Sequence, residues 1–96
     1  MRRGEILQLL AAHRPELARF SVKSLAIFGS VARDEARPDS DVDILVEFDE
    51  PVGLFEFVRL KDYLETLLDR SVDLVTPDAL KEQLRERILK EAVHAG

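Results

Sequence analysis

Two carboxylates, Asp41 and Asp43, alternate with apolar residues in the run Ser40-Asp41-Val42-Asp43-Ile44-Leu45-Val46. On an extended strand, side chains two residues apart leave the same face. Asp41 and Asp43 are therefore expected side by side, with Val42, Ile44 and Val46 on a buried opposite face. Paired carboxylates of this kind suit hard, oxygen-loving cations such as Mg2+. The apolar run Leu25-Ala26-Ile27-Phe28 ends at Gly29-Ser30, with ten residues between Ser30 and Asp41. A Gly-Ser turn allows close approach of backbone N–H groups to phosphate oxygens, with the Ser30 hydroxyl as a further donor. Arg33, one turn on, is placed either to contact phosphate or to form a surface ion pair with Asp34 or Glu35. A third carboxylate, Asp73, lies between Val72 and Leu74-Val75 on another expected strand. If the two strands are neighbours, three carboxylates converge, and their mutual repulsion calls for divalent cations. Asp-x-Asp taken alone reads as a solvated strand edge. Aspartate is a poor strand former, though, and the Gly-Ser turn and Asp73 give the pair a chemical reason. The combination points to phosphoryl or nucleotidyl transfer.

The elements that must position these residues follow from periodicity. Ile6, Leu9 and Leu10 mark a helix over 4–12. Pro15 restarts the chain as a short helix to Phe20. Val22 to Phe28 reads as a strand covered on both faces. A short helix opens at Ser30, and Arg37 to Ser40 is a loop, with Ser40 turning the chain into Asp41. Asp41 to Phe48 is the second strand. Leu54 to Leu68 is the clearest helix, with Leu54, Phe57, Val58, Leu64, Leu67 and Leu68 along one face. Val72 to Val75 is a third strand. Thr76-Pro77-Asp78 starts a last helix that runs to about Val93, with a stripe of Leu80, Leu84, Ile88 and Ala92 expected to pack on the core, an interface with a partner or second subunit being the alternative. Strands alternating with helices predict an α/β (α+β) domain, a small mixed sheet with helices packed on it.

Composition narrows the function classes. The 96 residues read as one domain, residues 1–96, with 46% hydrophobic and 34% charged residues, a globular and soluble balance. There is no cysteine, which excludes thiolate metal sites and disulfides and agrees with a cytoplasmic location. No signal peptide and no membrane span is expected. The net charge of −5 argues against general nucleic-acid binding, which needs a positive surface. His13 and His94 stand at no metal-ligand spacing and are assigned no chemistry. Phe55, Phe57 and Tyr63 fall within a helix and read as core or interface rather than as a base-stacking platform.

The string Gly29-Ser30-Val31-Ala32-Arg33 followed by Ser40-Asp41-Val42-Asp43-Ile44-Leu45-Val46, with the later strand aspartate, resembles the DNA polymerase β-like nucleotidyltransferase superfamily. It is most similar to the minimal nucleotidyltransferases, over nearly the whole chain. The resemblance implies the polymerase β-like nucleotidyltransferase fold. It implies that Gly29 and Ser30 bind the phosphates of ATP, that Asp41 and Asp43 bind two Mg2+ ions, and that Asp73 completes the site. It also implies a HEPN-domain RNase toxin as partner, neutralised by transfer of AMP from ATP to one of its tyrosines. A contact-only antitoxin and nucleotidyl transfer to a small molecule are the alternatives. The latter calls for an acceptor domain that 96 residues do not hold, so the acceptor is expected from a partner or a second subunit. One departure stands out. Many relatives carry Gly after the Arg of the motif, whereas Asp34 stands here, and a different turn with an extra negative charge near the phosphates is expected.

Overall fold

A computed structural model describes residues 2–37 and 39–95. The chain runs α1 (Arg3–Ala12), α2 (Arg14–Ala18), β1 (Val22–Phe28), α3 (Gly29–Ala32), β2 (Val42–Phe48), α4 (Leu54–Leu68) and β3 (Val72–Val75). A 3-10 turn (Pro77–Ala79), α5 (Glu82–Glu91) and β4 (Val93–His94) follow. The sheet is mixed, in the order β3-β2-β1-β4. β1 is antiparallel to both β2 and β4, and β2 is parallel to β3. The α+β class expected from alternation is the class observed.

The core occupies one face of this sheet. Leu25 and Ile27 of β1, Val42, Ile44 and Val46 of β2, and Val72 and Leu74 of β3 belong to a single buried cluster with Ile6, Leu10, Leu60, Leu64 and Leu68 of the helices. Ala26 and Leu45 are buried as well but alternate onto the opposite face, outside that cluster. Asp43 and Asp73 share their parity. The period-2 pattern that buries the core residues thus sends the carboxylates to the other side of the sheet. β1 is buried at Leu25, Ala26 and Ile27 in succession, as its unbroken apolar run requires of a strand between two neighbours.

α4 has the expected limits, but its buried seam is rotated from the expected one. Leu60, Leu64 and Leu68 are buried, with Phe57 and Leu67 half-buried beside them, whereas Leu54 and Val58 face solvent. The seam follows the four-residue step from Leu60, and the first three residues of the helix are exposed. Burying each of these leucines contributes about 2 kcal/mol. Of the helical aromatics, Tyr63 packs at 5.4 Å from Phe20 and Phe57 at 6.4 Å from Phe48, while Phe55 is exposed.

The C-terminal region corrects the expectation of one long helix. Thr76-Pro77-Asp78 starts only a 3-10 turn, Leu80 and Lys81 return to extended backbone, and α5 begins at Glu82. No residue of α5 is buried, and Leu84 is nearly half exposed, so its apolar stripe does not pack on the core. Ala92 is extended and Val93–His94 form β4 on β1. β1 would otherwise present an unpaired row of backbone groups on that side, and the pairing covers its Leu25–Ile27 portion. No helix among the described residues is long and apolar enough to cross a membrane.

Candidate active site

Gly29 closes β1 with a positive φ of 70°, a conformation that costs a side-chain-bearing residue about 1–2 kcal/mol. A second constraint acts at the same position. A Cβ on Gly29 would run into the Asp43 carboxylate. Only glycine lets the turn and the aspartate approach so closely. Ser30 follows within the single turn of α3, and the Glu35 N–H donates to the Ser30 carbonyl at 2.8 Å to close the segment behind it.

Pairing brings the carboxylates to this turn. Phe28 lies opposite Asp43 in the antiparallel β1–β2 ladder, so the end of β1 meets the start of β2. Asp43 lies opposite Asp73 in the parallel β2–β3 ladder. Residues directly paired across strands project to the same face, so these two carboxylates are neighbours. Asp41 differs from expectation in one respect. β2 starts at Val42, whose N–H donates to the Ser71 carbonyl at 2.9 Å, and Asp41 precedes the strand as an exposed residue. Asp43 is half-buried and Asp73 exposed. Burial, then the charges of Asp73 and Asp41, push the Asp43 carboxyl above the ordinary aspartate range; Arg33 opposes this and Glu91 adds to it.

The donor set is all oxygen and all anionic. Three carboxylates with no nitrogen or sulfur ligand suit Mg2+ rather than a softer ion. Gly29, where a Cβ would fill the approach to Asp43, leaves room beside that carboxylate. The residues therefore fit the ion that the sequence pattern implies. Among the described residues, no three His, Cys, Asp or Glu side chains are already drawn together into a metal-holding group.

Arg33 makes two ion pairs. Its Nε meets Glu35 Oε2 at 3.2 Å, and its Nη1 meets Glu91 Oε1 at 3.1 Å. The surface pair expected from the sequence is thus present toward Glu35. Asp34 takes φ 60°, the left-handed conformation that glycine adopts freely and aspartate tolerates. Its carboxylate accepts from the Arg3 N–H at 3.4 Å, tying the loop to the start of α1. Arg3 adds a 2.8 Å bond from Nη1 to the Ala32 carbonyl.

Sequence reasoning missed two side chains at this end of the sheet. Arg70, past the left-handed cap Asp69 of α4, donates through Nη2 to the Arg37 carbonyl at 2.8 Å and to the Ser40 carbonyl. Ser40 Oγ in turn accepts from the Arg37 N–H at 2.9 Å, which bears out its assignment to the turn. Pro38 of the same loop lies outside the described residues. Arg70 thereby fixes the segment that delivers Asp41. Glu91, the last residue of α5, accepts from the Gly29 N–H at 2.7 Å. No local signal marks either residue, because each acts across the fold. His13 Nδ1 lies 2.8 Å from the Leu9 carbonyl and His94 sits exposed on β4, both in structural settings.

Residues 10–94 match the family described as nucleotidyltransferase domain. The chain is 47% identical over 91 residues to the protein adenylyltransferase MntA of Thermococcus cleftensis, covering 94% of this chain and 92% of that protein. A solved structure of a candidate minimal nucleotidyltransferase superposes with a TM-score of 0.84 at 42% identity, over 97% of this chain and 95% of that one. A chain of a tri-AMPylated Shewanella oneidensis HEPN toxin in complex with an MNT antitoxin superposes with a TM-score of 0.61. At 21% identity, over 98% of this chain and 68% of that one, it shares the fold.

Proposed function

The chain belongs to the nucleotidyltransferase domain family, and from that premise we propose that it transfers AMP from ATP to a tyrosine hydroxyl of a HEPN-domain toxin, as the antitoxin of that pair. It is a nucleotidyltransferase enzyme; the donor, the acceptor, the ion and the partner are the proposed parts. One observation carries the reading: Asp43 and Asp73 stand opposite one another on adjacent strands, at the end of the sheet where Gly29 makes its turn.

The roles follow from position and charge. The Gly29 and Ser30 backbone and the Ser30 hydroxyl donate to the triphosphate, and Arg33 offsets its charge. Asp41, Asp43 and Asp73 would hold Mg2+, which when bound neutralises the phosphate oxygens and eases ionisation of the acceptor hydroxyl. Asp73, exposed on the edge strand β3, is open to an acceptor arriving from outside the chain, and in this reading it receives the acceptor's proton. The acceptor oxygen bonds to the α-phosphorus, the bond to the β-phosphate oxygen breaks, and pyrophosphate leaves. AMP remains on the acceptor.

Incubation of the purified chain and a HEPN partner with Mg2+ and ATP labelled on the α-phosphate tests this. Label on the partner is expected, lost when its tyrosines are changed to phenylalanine. A tight complex that stays unlabelled would replace the enzyme by a contact-only antitoxin. That second reading draws on the exposed Leu54 and Phe55 at the start of α4, apolar surface available for protein contact.

A further inference from the structure

The carboxylate of Glu91 reaches across the fold to the Gly29 turn. Its Oε1 accepts the Gly29 N–H at 2.7 Å and faces Arg33 Nη1 at 3.1 Å, with Oε2 at 3.3 Å from the same nitrogen. One anion thus engages both the backbone donor and the guanidinium of the turn. The position is not an accident of a loose side chain. β4 pairs with β1 through Ala26↔His94 and Ile27↔Val93, and the Ala95 N–H donates to the Leu25 carbonyl at 2.9 Å. Carrying that antiparallel register two residues further sets Glu91 opposite Gly29. The tail that completes the sheet therefore delivers the carboxylate to the turn. A carboxylate in the last turn of a helix also opposes the helix dipole. Glu91 ends α5, so its partners at Gly29 and Arg33 offset an unfavourable location.

We propose that Glu91 is an internal occupant of the triphosphate seat, which a nucleotide must displace before it can bind. The proposal rests on the reading of Gly29 and Arg33 as triphosphate contacts. Displacement makes the binding-competent form a minor one, and apparent affinity falls in proportion to its population. A triphosphate brings several anionic oxygens at once and replaces both contacts that Glu91 gives up.

The test is titration of the full chain with a non-hydrolysable ATP analogue and Mg2+ by calorimetry, using wild type, Glu91→Gln and Glu91→Ala. Thermal melts establish that each variant is folded. Glu91→Ala is expected to bind at least tenfold more tightly than wild type, and Glu91→Gln to move in the same direction by less, since its amide oxygen still accepts from Gly29. Glu91→Gln keeps the side-chain shape and decides the matter should the alanine variant unfold. Unchanged or weaker binding by the folded variants overturns the proposal and makes Glu91 a support for Arg33, with the phosphate seat left standing. Absence of binding by all three proteins at millimolar analogue overturns the seat itself and the proposal with it.

Discussion

Asp43 and Asp73 face each other across the parallel β2–β3 ladder, one half-buried and the other exposed. Burial and the neighbouring charge together raise the Asp43 carboxyl, so the pair is under electrostatic stress that a cation or a proton relieves.

Asp43→Asn removes the charge but keeps the shape. Transfer is expected to fall on the order of a hundredfold or more, the scale of losing one preorganised electrostatic group. The variant is expected to melt at or above the wild-type temperature at neutral pH. Transfer assayed with labelled ATP, alongside a melting curve, checks both; full activity would remove Asp43 from the site.

The same stress sets a pH dependence. Because its native carboxyl is raised, Asp43 binds its proton more tightly in the folded than in the unfolded chain. Unfolding free energy therefore drops as pH rises. The contribution is complete below the unfolded carboxylate value and is lost as pH climbs through the native one. Urea unfolding of wild type and Asp43→Asn across that range reads it as a widening difference in favour of the variant. At neutral pH, Mg2+ is expected to narrow the difference and its removal by chelation to restore it.

Gly29→Ala meets two obstacles at once: the positive φ and the Asp43 carboxylate. A loss of about 2 kcal/mol or more is expected, the left-handed cost plus the displacement of Asp43. Denaturant unfolding measures it, and nucleotide titration should show binding lost with the turn. A fully stable, nucleotide-binding alanine variant would contradict the geometry.

Much of this was legible in the sequence, and the reasons are local. Val22–Phe28 and Val72–Val75 follow from apolar runs bounded by turn residues, and Leu54–Leu68 from a helical period between Gly53 and Asp69. The pairing of Asp43 with Asp73 needed only β2 and β3 to be neighbours. The rest depends on partners distant in sequence. Ala92-Val93 looks like continuing helix, and only the open side of β1 draws Val93–His94 into a strand. Arg70 reads as a helix stop until its guanidinium is seen on the carbonyls of Arg37 and Ser40.

Arg70→Ala is expected to cost about 1.5–3 kcal/mol, the range for hydrogen bonds that involve a charged group. Transfer should fall about tenfold with nucleotide affinity little changed, because Asp41 loses its fixed approach while Gly29 does not. Arg70→Lys should rescue poorly, since one ammonium does not reproduce the planar fork on two carbonyls. Separate measurement of nucleotide binding and turnover distinguishes this from general destabilisation.

Asp34→Gly is expected to be close to neutral, within about 0.5 kcal/mol. Glycine relieves the left-handed backbone, while the Arg3 N–H loses its acceptor and the unfolded chain gains freedom. Asp34→Val should destabilise by about 1–2 kcal/mol, because a β-branched residue resists that conformation. Melting temperatures of the two variants give the comparison.

The antiparallel pairing of Phe28 with Asp43 changes what the spacing between turn and carboxylates means. The intervening stretch is anchored at Val31 and Ala32 and by Arg3 and Arg70, yet its length is no measuring rod, since the antiparallel return fixes the two ends against each other. Residues inserted between Glu35 and Arg37 should loop outward and leave the chemistry in place. A single residue added within β2 would rotate Asp43 into the apolar core and bring Ile44 or Val42 out in its stead. Tolerance to length change in this protein is thus divided sharply, generous in the connection and absent from the strand it leads to.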